Sequence, residues 1–516
     1  MQIRIGGERL ALEIDVPNLE NEVLNNTQIT HNNTFIFPAD QEITTGDLVS
    51  LIDYHRLHIR PQYLKDRKYY EGDHDIMHKA SKAAYKPDNR LVINFPRKAV
   101  TSFNGFFIGT PVKIDSKDKS ADEYISTWTN VNNFEDVNSE VSKEASMYGR
   151  SYYFVYQDEQ GNPCVVPSSP LDTFLIYDDT IARNVKYGVH YSYNVKGELM
   201  VSLMSVGQYR EFVMNGKSDN YLDQVGVYAL PYPIVPIIEA VENEERLSLC
   251  HDIVTLIDAL DKAMSEKAND VDYFADAYLK IINAYMGKEE VKNFNENLRD
   301  ERMLVVDGAD SGAEADTQVD FMEKPSADET QEHLVDRLVD YIYQIANVVN
   351  LNDEAFAGNP AGVTLKLKYQ PMKDMADVKA NKFKKSLRDV FRCVFSVVPG
   401  MNPDVWQDLT FRFTQSTPQN LLELAQAYSY FYGKISTKLL LQQMPFVDDP
   451  DEAMAEFKKE NQDTQQQTGG MVQQILGNMT DQQKQKGGVG NAANAQSGKA
   501  TNSATNQFGR PNGPTK

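Results

Sequence analysis

The chain has 516 residues, 41% of them hydrophobic, and carries a formal net charge of −22. That length supplies several domains with sizeable cores, and the acidity excludes a protein whose whole surface grips nucleic acid. Cys164, Cys250 and Cys393 are far apart and form no Cys-x-x-Cys, which excludes a disulfide framework or thiolate zinc site and fits a reducing compartment.

The opening MQIRIGGERL has no basic region leading into an apolar run, and no stretch has the unbroken apolar length of a membrane span. A soluble protein, cytoplasmic when made and without a membrane partner, is expected. Residues 1–45 mix short strand-like runs with turns rich in Asn and Thr. From Thr45 to Tyr70, Leu48, Leu51/Ile52, His55 and Ile59 share a helical face, and Pro61 is expected to interrupt that helix. His74 and His78 are four apart beside Asp73 and Asp75, but without a nearby third ligand the segment reads as a polar loop opening a helix. Residues 89–111 are apolar and aromatic, and Gly105-x-x-x-Gly109 has the spacing of close helix packing in a core.

Residues 121–148 read as helical through Tyr124, Ile125, Trp128, Val137, Val141 and Ala145. From Ser151 to about Tyr232, β-branched and aromatic runs alternate with turn residues, which predicts an antiparallel β region closed by Pro231–Pro236. Apolar residues then recur every three or four positions, predicting a long helix over Arg246–Phe274. Residues 275–325 read as a small α/β insertion, with strands at Ala277–Ile282, Arg302–Val306 and Gln318–Met322 and a helix at Glu289–Arg299. A second helix, Ala327–Asn350, returns with Leu334, Leu338, Tyr341/Ile342, Ile345 and Val348/Val349 on one face; Ser326 and Glu329 have capping-box spacing. The course out and back predicts a protrusion on a two-helix stalk.

The loop Asn352–Gly362 follows, punctuated by Gly358, Pro360 and Gly362. Beyond it Lys366, Lys368, Lys373, Lys379, Lys382, Lys384, Lys385, Arg388 and Arg392 face only Asp374, Asp377 and Asp389. This helix starts either near Val363 or after Pro371. Phe383, Leu387, Val390/Phe391 and Val394 form its apolar face, and the basic residues read equally as a solvated or a phosphate-facing surface. Leu409–Phe413 reads as a short strand, and Leu421–Tyr432 as a helix capped by Thr417 and ended by Gly433. Asp451–Lys459 reads as a last helix, and from about Gln462 the Gln-, Asn- and Gly-rich composition predicts disorder.

No P-loop, Gly-x-Ser-x-Gly, His-Glu-x-x-His or deaminase signature occurs, so no enzyme, catalytic residue, metal or cofactor is expected. The fold class is α+β: helix-rich, multidomain, and suited to an assembly component.

Four segments in order then resemble one family, the portal proteins of tailed bacteriophages, specifically the siphophage type with dodecameric rings. They are Tyr69-Tyr-Glu-Gly-Asp-His-Asp-Ile-Met77, Asn94-Phe through Gly105-Phe-Phe-Ile-Gly-Thr-Pro111, Gly358–Tyr369, and Gln443-Met-Pro-Phe-Val-Asp-Asp-Pro-Asp-Glu452. Pro360-Ala361 and Thr364 depart from the family's usual Ser-Gly-Val-Ala-Leu-like form.

The resemblance implies an N-terminal arm (1–45), a wing (46–245), stem helices (246–274 and 326–350) and a clip (275–325). It further implies a tunnel loop (351–363), a channel-bordering helix (364–398), a helical crown (399–460) and a disordered tail (461–516). The tunnel loop would present Asn352, Asp353, Glu354, Phe356, Gly358, Asn359, Pro360 and Gly362. Lys366, Lys368, Lys373, Lys379, Lys382, Lys385 and Arg388 would face the DNA.

The implied function is a homo-oligomeric ring, of twelve subunits by resemblance, at a capsid vertex. Through it the terminase large subunit packages double-stranded DNA without sequence specificity; DNA later leaves the same way. Head-completion or adaptor proteins, the major capsid protein and scaffolding proteins are the other implied partners, in host cytoplasm during assembly and then in the virion. Another oligomeric head or tail protein without a DNA channel, and an enzyme built on the β region, are the rival readings.

Overall fold

The computed structural model describes residues 22–83, 86–214, 222–275, 279–282, 318–321, 328–350, 362–415, 426, 428–442, 447 and 453–459. The chain divides into two units, Met1–Pro418 and Gln419–Lys516.

The first unit opens with strands β1 (Glu22–Leu24), β2 (Thr27–Ile29) and β3 (Phe35–Phe37). Helix α1 (Thr45–Tyr54) begins at a capping box between Thr44 and Asp47. A π-turn, His55–Ile59, carries it straight into α2 (Arg60–Glu71). Pro61 therefore does not interrupt the helix: the wider turn lets Arg60 donate to the His55 carbonyl, and proline occupies the first turn of α2, where its missing N–H costs little. Gly72, at φ +90°, ends α2 in the left-handed region.

Helix α3 (Phe95–Ile108) is capped by the Asn94 side chain, which accepts from the Arg97 N–H. Its Gly105 is exposed with no atom within 4 Å of where a Cβ would stand, so the expected close packing at Gly105 is corrected. The aromatic residues beside it, Phe103, Phe106 and Phe107, make the core contact instead. After β4 (Lys113–Asp115), the expected helix is two, α4 (Lys119–Val131) and α5 (Phe134–Tyr148), broken where Asn133 takes φ +49°.

Strands β5 (Arg150–Gln157), β6 (Pro163–Ser168), β7 (Thr173–Asp178), β8 (Val185–Tyr193), β9 (Leu199–Ser205), β10 (Gln208–Met214), β11 (Leu222–Ala229) and β12 (Ile237–Val241) follow. They form two sheets, of order β1-β2-β3-β7-β8-β9-β10-β11 and β12-β5-β6. Residues from the N-terminal region thus extend the β region, with β3 parallel to β7 and every other pair in these sheets antiparallel. The proline run does not close the β region: β12 follows it and pairs with β5.

One core sits between the large sheet and α1–α2, where Ile52, Ile59, Phe35, Phe174 and Val201 are buried. A second joins α3, α4 and α5 to the later helices through Phe107, Trp128, Phe134, Phe391 and Phe395. Each large apolar side chain so buried contributes about 1.5–3 kcal/mol.

Helix α6 (Val254–Ala275) starts later than the periodicity predicts. Asn243 ties the preceding turn through hydrogen bonds with the Leu247 backbone, and Arg246 takes φ +59°, which no helix admits. Gly149, at φ +86°, leaves room for that turn: a Cβ there would stand 2.1 Å from the Arg246 carbonyl oxygen. The extended residues 89–93 then pair with α6 side chains instead of a strand. Asn89, Leu91 and Ile93 donate their N–H groups to Asn269 Oδ1 (2.6 Å), Ser265 Oγ (2.9 Å) and Asp261 Oδ1 (2.8 Å). Every second residue of an extended chain advances about 6.8 Å and every fourth of a helix about 6 Å, so the two periods nearly match.

Strands β13 (Leu279–Ile282) and β14 (Gln318–Phe321) pair antiparallel. The expected strand 302–306 and helix 289–299 lie outside the described residues. Helix α7 (Asp328–Ile345) returns along α6, joined by an ion pair between Lys267 and Glu332. Helix α8 (Gly362–Ser396) is continuous through Pro371, which places its start near Val363. Strand β15 (Thr410–Arg412) pairs with β4.

In the second unit the described residues include helical residues 428–431, a left-handed turn at Gly433 and helix α9 (Thr437–Gln442). Residues 453–459 are helical, within the expected last helix. The start of the helix expected at Leu421 and the tail from 460 onward lie outside the described residues.

Candidate nucleic-acid interface

Helix α8 sorts its basic residues by angle. Steps of three residues turn about 60° short of a full circle, so Lys379, Lys382, Lys385 and Arg388 spiral from the core to solvent. Lys379 is buried, Lys382 is half-buried, and Lys385 and Arg388 are exposed. Of the others, Lys366 and Lys373 are exposed and Lys368 is half-buried.

Lys379 is a correction: it cannot face DNA in this fold. Its Nζ lies 2.6 Å from Glu242 Oε2 and donates to Ser146 Oγ (2.8 Å) and the Ser142 carbonyl (3.0 Å). The rings of Phe103, Phe107 and Phe383 stand 5.1, 5.0 and 5.5 Å away. Burial pulls its pKa below the ordinary lysine value, and Glu242 opposes that. A wheel would have found it, since Lys379 falls in line with Met372, Ala376, Phe383 and Val390, all buried.

Other positions are also tied within the chain. Lys382 pairs with Glu244, whose carboxyl it holds below the usual range. Lys373 stands 3.8 Å from Asp377, and Arg388 lies 6.0 Å from the Phe411 ring centre. Arg392 lies 5.2 Å from the Trp406 ring centre. Lys373 and Arg388 nevertheless share one accessible side with Lys366 and half-buried Lys384, in a line at heptad-like spacing. Lys384 belongs to this line although the DNA-facing set expected from sequence omits it. Such a row of cations suits the phosphates of a nucleic-acid backbone.

Residues 351–361 of the expected tunnel loop (351–363) lie outside the described residues, and Gly362 opens α8. Near the loop's first end, a cleft of about 290 Å³ lies between α3 and α7, lined by Ile93, Phe95, Lys98, Val339, Tyr343 and Asn350 among others. It is mainly apolar, without converging carboxylates, and it is not on the β region. His74 and His78 do not converge either: His74 meets Asp261 on α6, and His78 meets Asp73. Among the described residues no group of three His, Cys, Asp or Glu could hold a metal, and no helix is long and apolar enough to cross a membrane.

Comparison with known proteins decides the family. The family described as "Phage portal protein, SPP1 Gp6-like" matches residues 50–467. The chain belongs to this portal protein family. The portal protein of Bacillus phage SPP1 is 25% identical over 489 residues, covering 85% of this chain and 91% of that protein. The portal protein of Clostridium phage phiCD119 is 22% identical over 424 residues, covering 76% and 91%. The portal-family match includes α1 from Ser50 onward, both sheets apart from β1–β3, and the whole of α8. The basic line of α8 therefore belongs to the portal-family part of the chain.

Proposed function

We propose that copies of this chain form a closed ring at one capsid vertex, and that double-stranded DNA passes through its centre during packaging and release. The family match over residues 50–467 carries the reading. The α8 basic line supports it: a few rings of cations in an acidic protein hold DNA by its backbone yet let it slide, since each contact is weak and screened by salt. The chain's charge of −22 discourages wrapping elsewhere.

In this reading α6 and α7 form the stem and residues 275–325 the clip. Residues 46–245 belong to the wing, 351–363 to the tunnel loop and 399–460 to the crown. A terminase motor docks at the clip and supplies the energy, and head-completion or adaptor proteins follow it there. Capsid and scaffolding proteins surround the ring.

Electron microscopy of the purified protein tests the proposal. Rings with a central channel wide enough for a DNA duplex are expected. A strictly monomeric species at micromolar concentration, across a range of salt, would overturn it.

A further inference from the structure

Helix α7 carries more apolar surface than its neighbours cover. Leu338, Ile342 and Ala346 are buried, yet Leu334, Tyr341 and Ile345 beside them are 52%, 51% and 45% exposed. At about 100° per residue those three fall in one line. A second such line runs along α8, where Leu367 and Val378 are 68% and 55% exposed, with exposed Pro371 between them. It lies roughly 110° around the helix from the basic line, so the two serve different surfaces.

The two apolar lines match in spacing. From Leu334 the steps to Tyr341 and Ile345 are seven and four; from Val378 back to Pro371 and Leu367 they are again seven and four. An antiparallel approach sets Leu334 against Val378, Tyr341 against Pro371 and Ile345 against Leu367. In that register exposed Arg337 comes beside exposed Asp374, so the charges on the rim are complementary. Within one chain both lines are open to solvent. A contact between two different patches is heterologous, and where its rotation closes it builds rings rather than two-fold dimers.

We propose that α7 of one copy docks antiparallel on α8 of the next through these two lines, with Arg337 facing Asp374. The inference rests on the ring reading above and names its contact. It leaves Lys366, Lys373, Lys384 and Arg388 free to point elsewhere.

The test uses the full chain with Cys164→Ser, since Cys250 and Cys393 are buried. Leu334→Cys combined with Val378→Cys should give a ladder of covalent oligomers on mild oxidation, and neither single variant should. Arg337→Glu and Asp374→Lys should each raise the concentration needed for rings about tenfold, and the double reversal should restore it. Rings that form without the cross-link and without rescue would overturn this contact and leave the ring reading standing. A wild-type chain that never leaves the monomer would overturn both.

Discussion

Lys379 of α8 and Glu242, in the turn after β12, form an ion pair of 2.6 Å with both side chains withdrawn from solvent. The Ser142 carbonyl and the Ser146 hydroxyl on α5 accept from the ammonium, so the pair joins the helical core to the small sheet. Its value lies in the pairing of the two charges, because either one left alone in the interior is costly.

Glu242→Ala should therefore destabilise the fold by about 3–5 kcal/mol, since a bare ammonium would sit among three phenylalanine rings. Lys379→Met combined with Glu242→Leu should recover most of that loss. Denaturant titration of the single and double variants checks it. A Lys379→Met variant that lost DNA binding while keeping its stability would contradict the buried role.

His74 is fully buried, and both ring nitrogens face acceptors: Asp261 Oδ2 at 2.5 Å and the Tyr69 carbonyl at 3.0 Å. Only the doubly protonated ring donates to both. Burial works against that charge, but Asp261, the Tyr69 carbonyl and Asp258 outweigh it and raise the pKa. A raised folded pKa gives stability that is fully present below the ordinary histidine value and is lost as pH rises through the raised value. Stability should thus fall on going alkaline, and His74→Gln should flatten that fall. The protection factor of the Ile93 amide, held by the same Asp261, should fall over the same range, beyond the intrinsic rise in exchange with pH.

The acid side is governed by other groups. Burial alone would raise the Glu239 carboxyl, but Arg246 at 2.8 Å and Arg150 at 3.5 Å overcome it and hold the pKa at about 2. A depressed carboxylate gives stability that is present above its unfolded pKa and is lost as pH falls toward about 2. His55, buried and held at about 3, adds a loss that begins earlier, below the ordinary histidine value, because the unfolded chain takes up the proton first. His55→Gln should remove the upper part of the acid loss seen in thermal unfolding between about pH 6 and pH 3, a loss set against the opposite contribution of Asp66, whose carboxyl burial raises to about 7.

Several elements are legible in the sequence because one physical signal dominates them. The three-and-four spacing of Ile257, Leu260 and Met264 marks α6, and short apolar runs bounded by turn residues, such as Thr173–Asp178 and Leu199–Ser205, mark strands. Helix starts are less legible, because a turn held by Asn243 and Arg246 overrides a periodicity that continues across it. The place of Pro61 depends on a π-turn that no propensity announces. Residues that meet across long separations, such as Lys379 with Glu242 or Asp261 with Ile93, leave no mark in either segment. The candidate interface is legible as a basic run, and a helical wheel sets Lys379 on its apolar side, while its partner Glu242 is not marked in the sequence.

If the basic line of α8 holds DNA by its phosphates, its members should act weakly and in sum. Replacing Lys366, Lys373, Lys384 or Arg388 singly with Gln should change affinity for duplex DNA only slightly, because each single phosphate contact is weak and screened by salt. Replacing all four should flatten the dependence of log K on log salt, by about 0.9 for each B-DNA phosphate that is no longer neutralised. Lys379→Met combined with Glu242→Leu should leave that slope unchanged, since Lys379 is buried and paired within the chain. Fluorescence anisotropy of labelled duplexes at several salt concentrations measures the slope, and electron microscopy of each variant confirms that rings persist. Because a row of cations on phosphates reads no bases, duplexes of unrelated sequence should give the same slope. An unchanged slope in the fourfold variant, with rings intact, would assign the line to solvent and move the DNA-binding surface elsewhere in the chain.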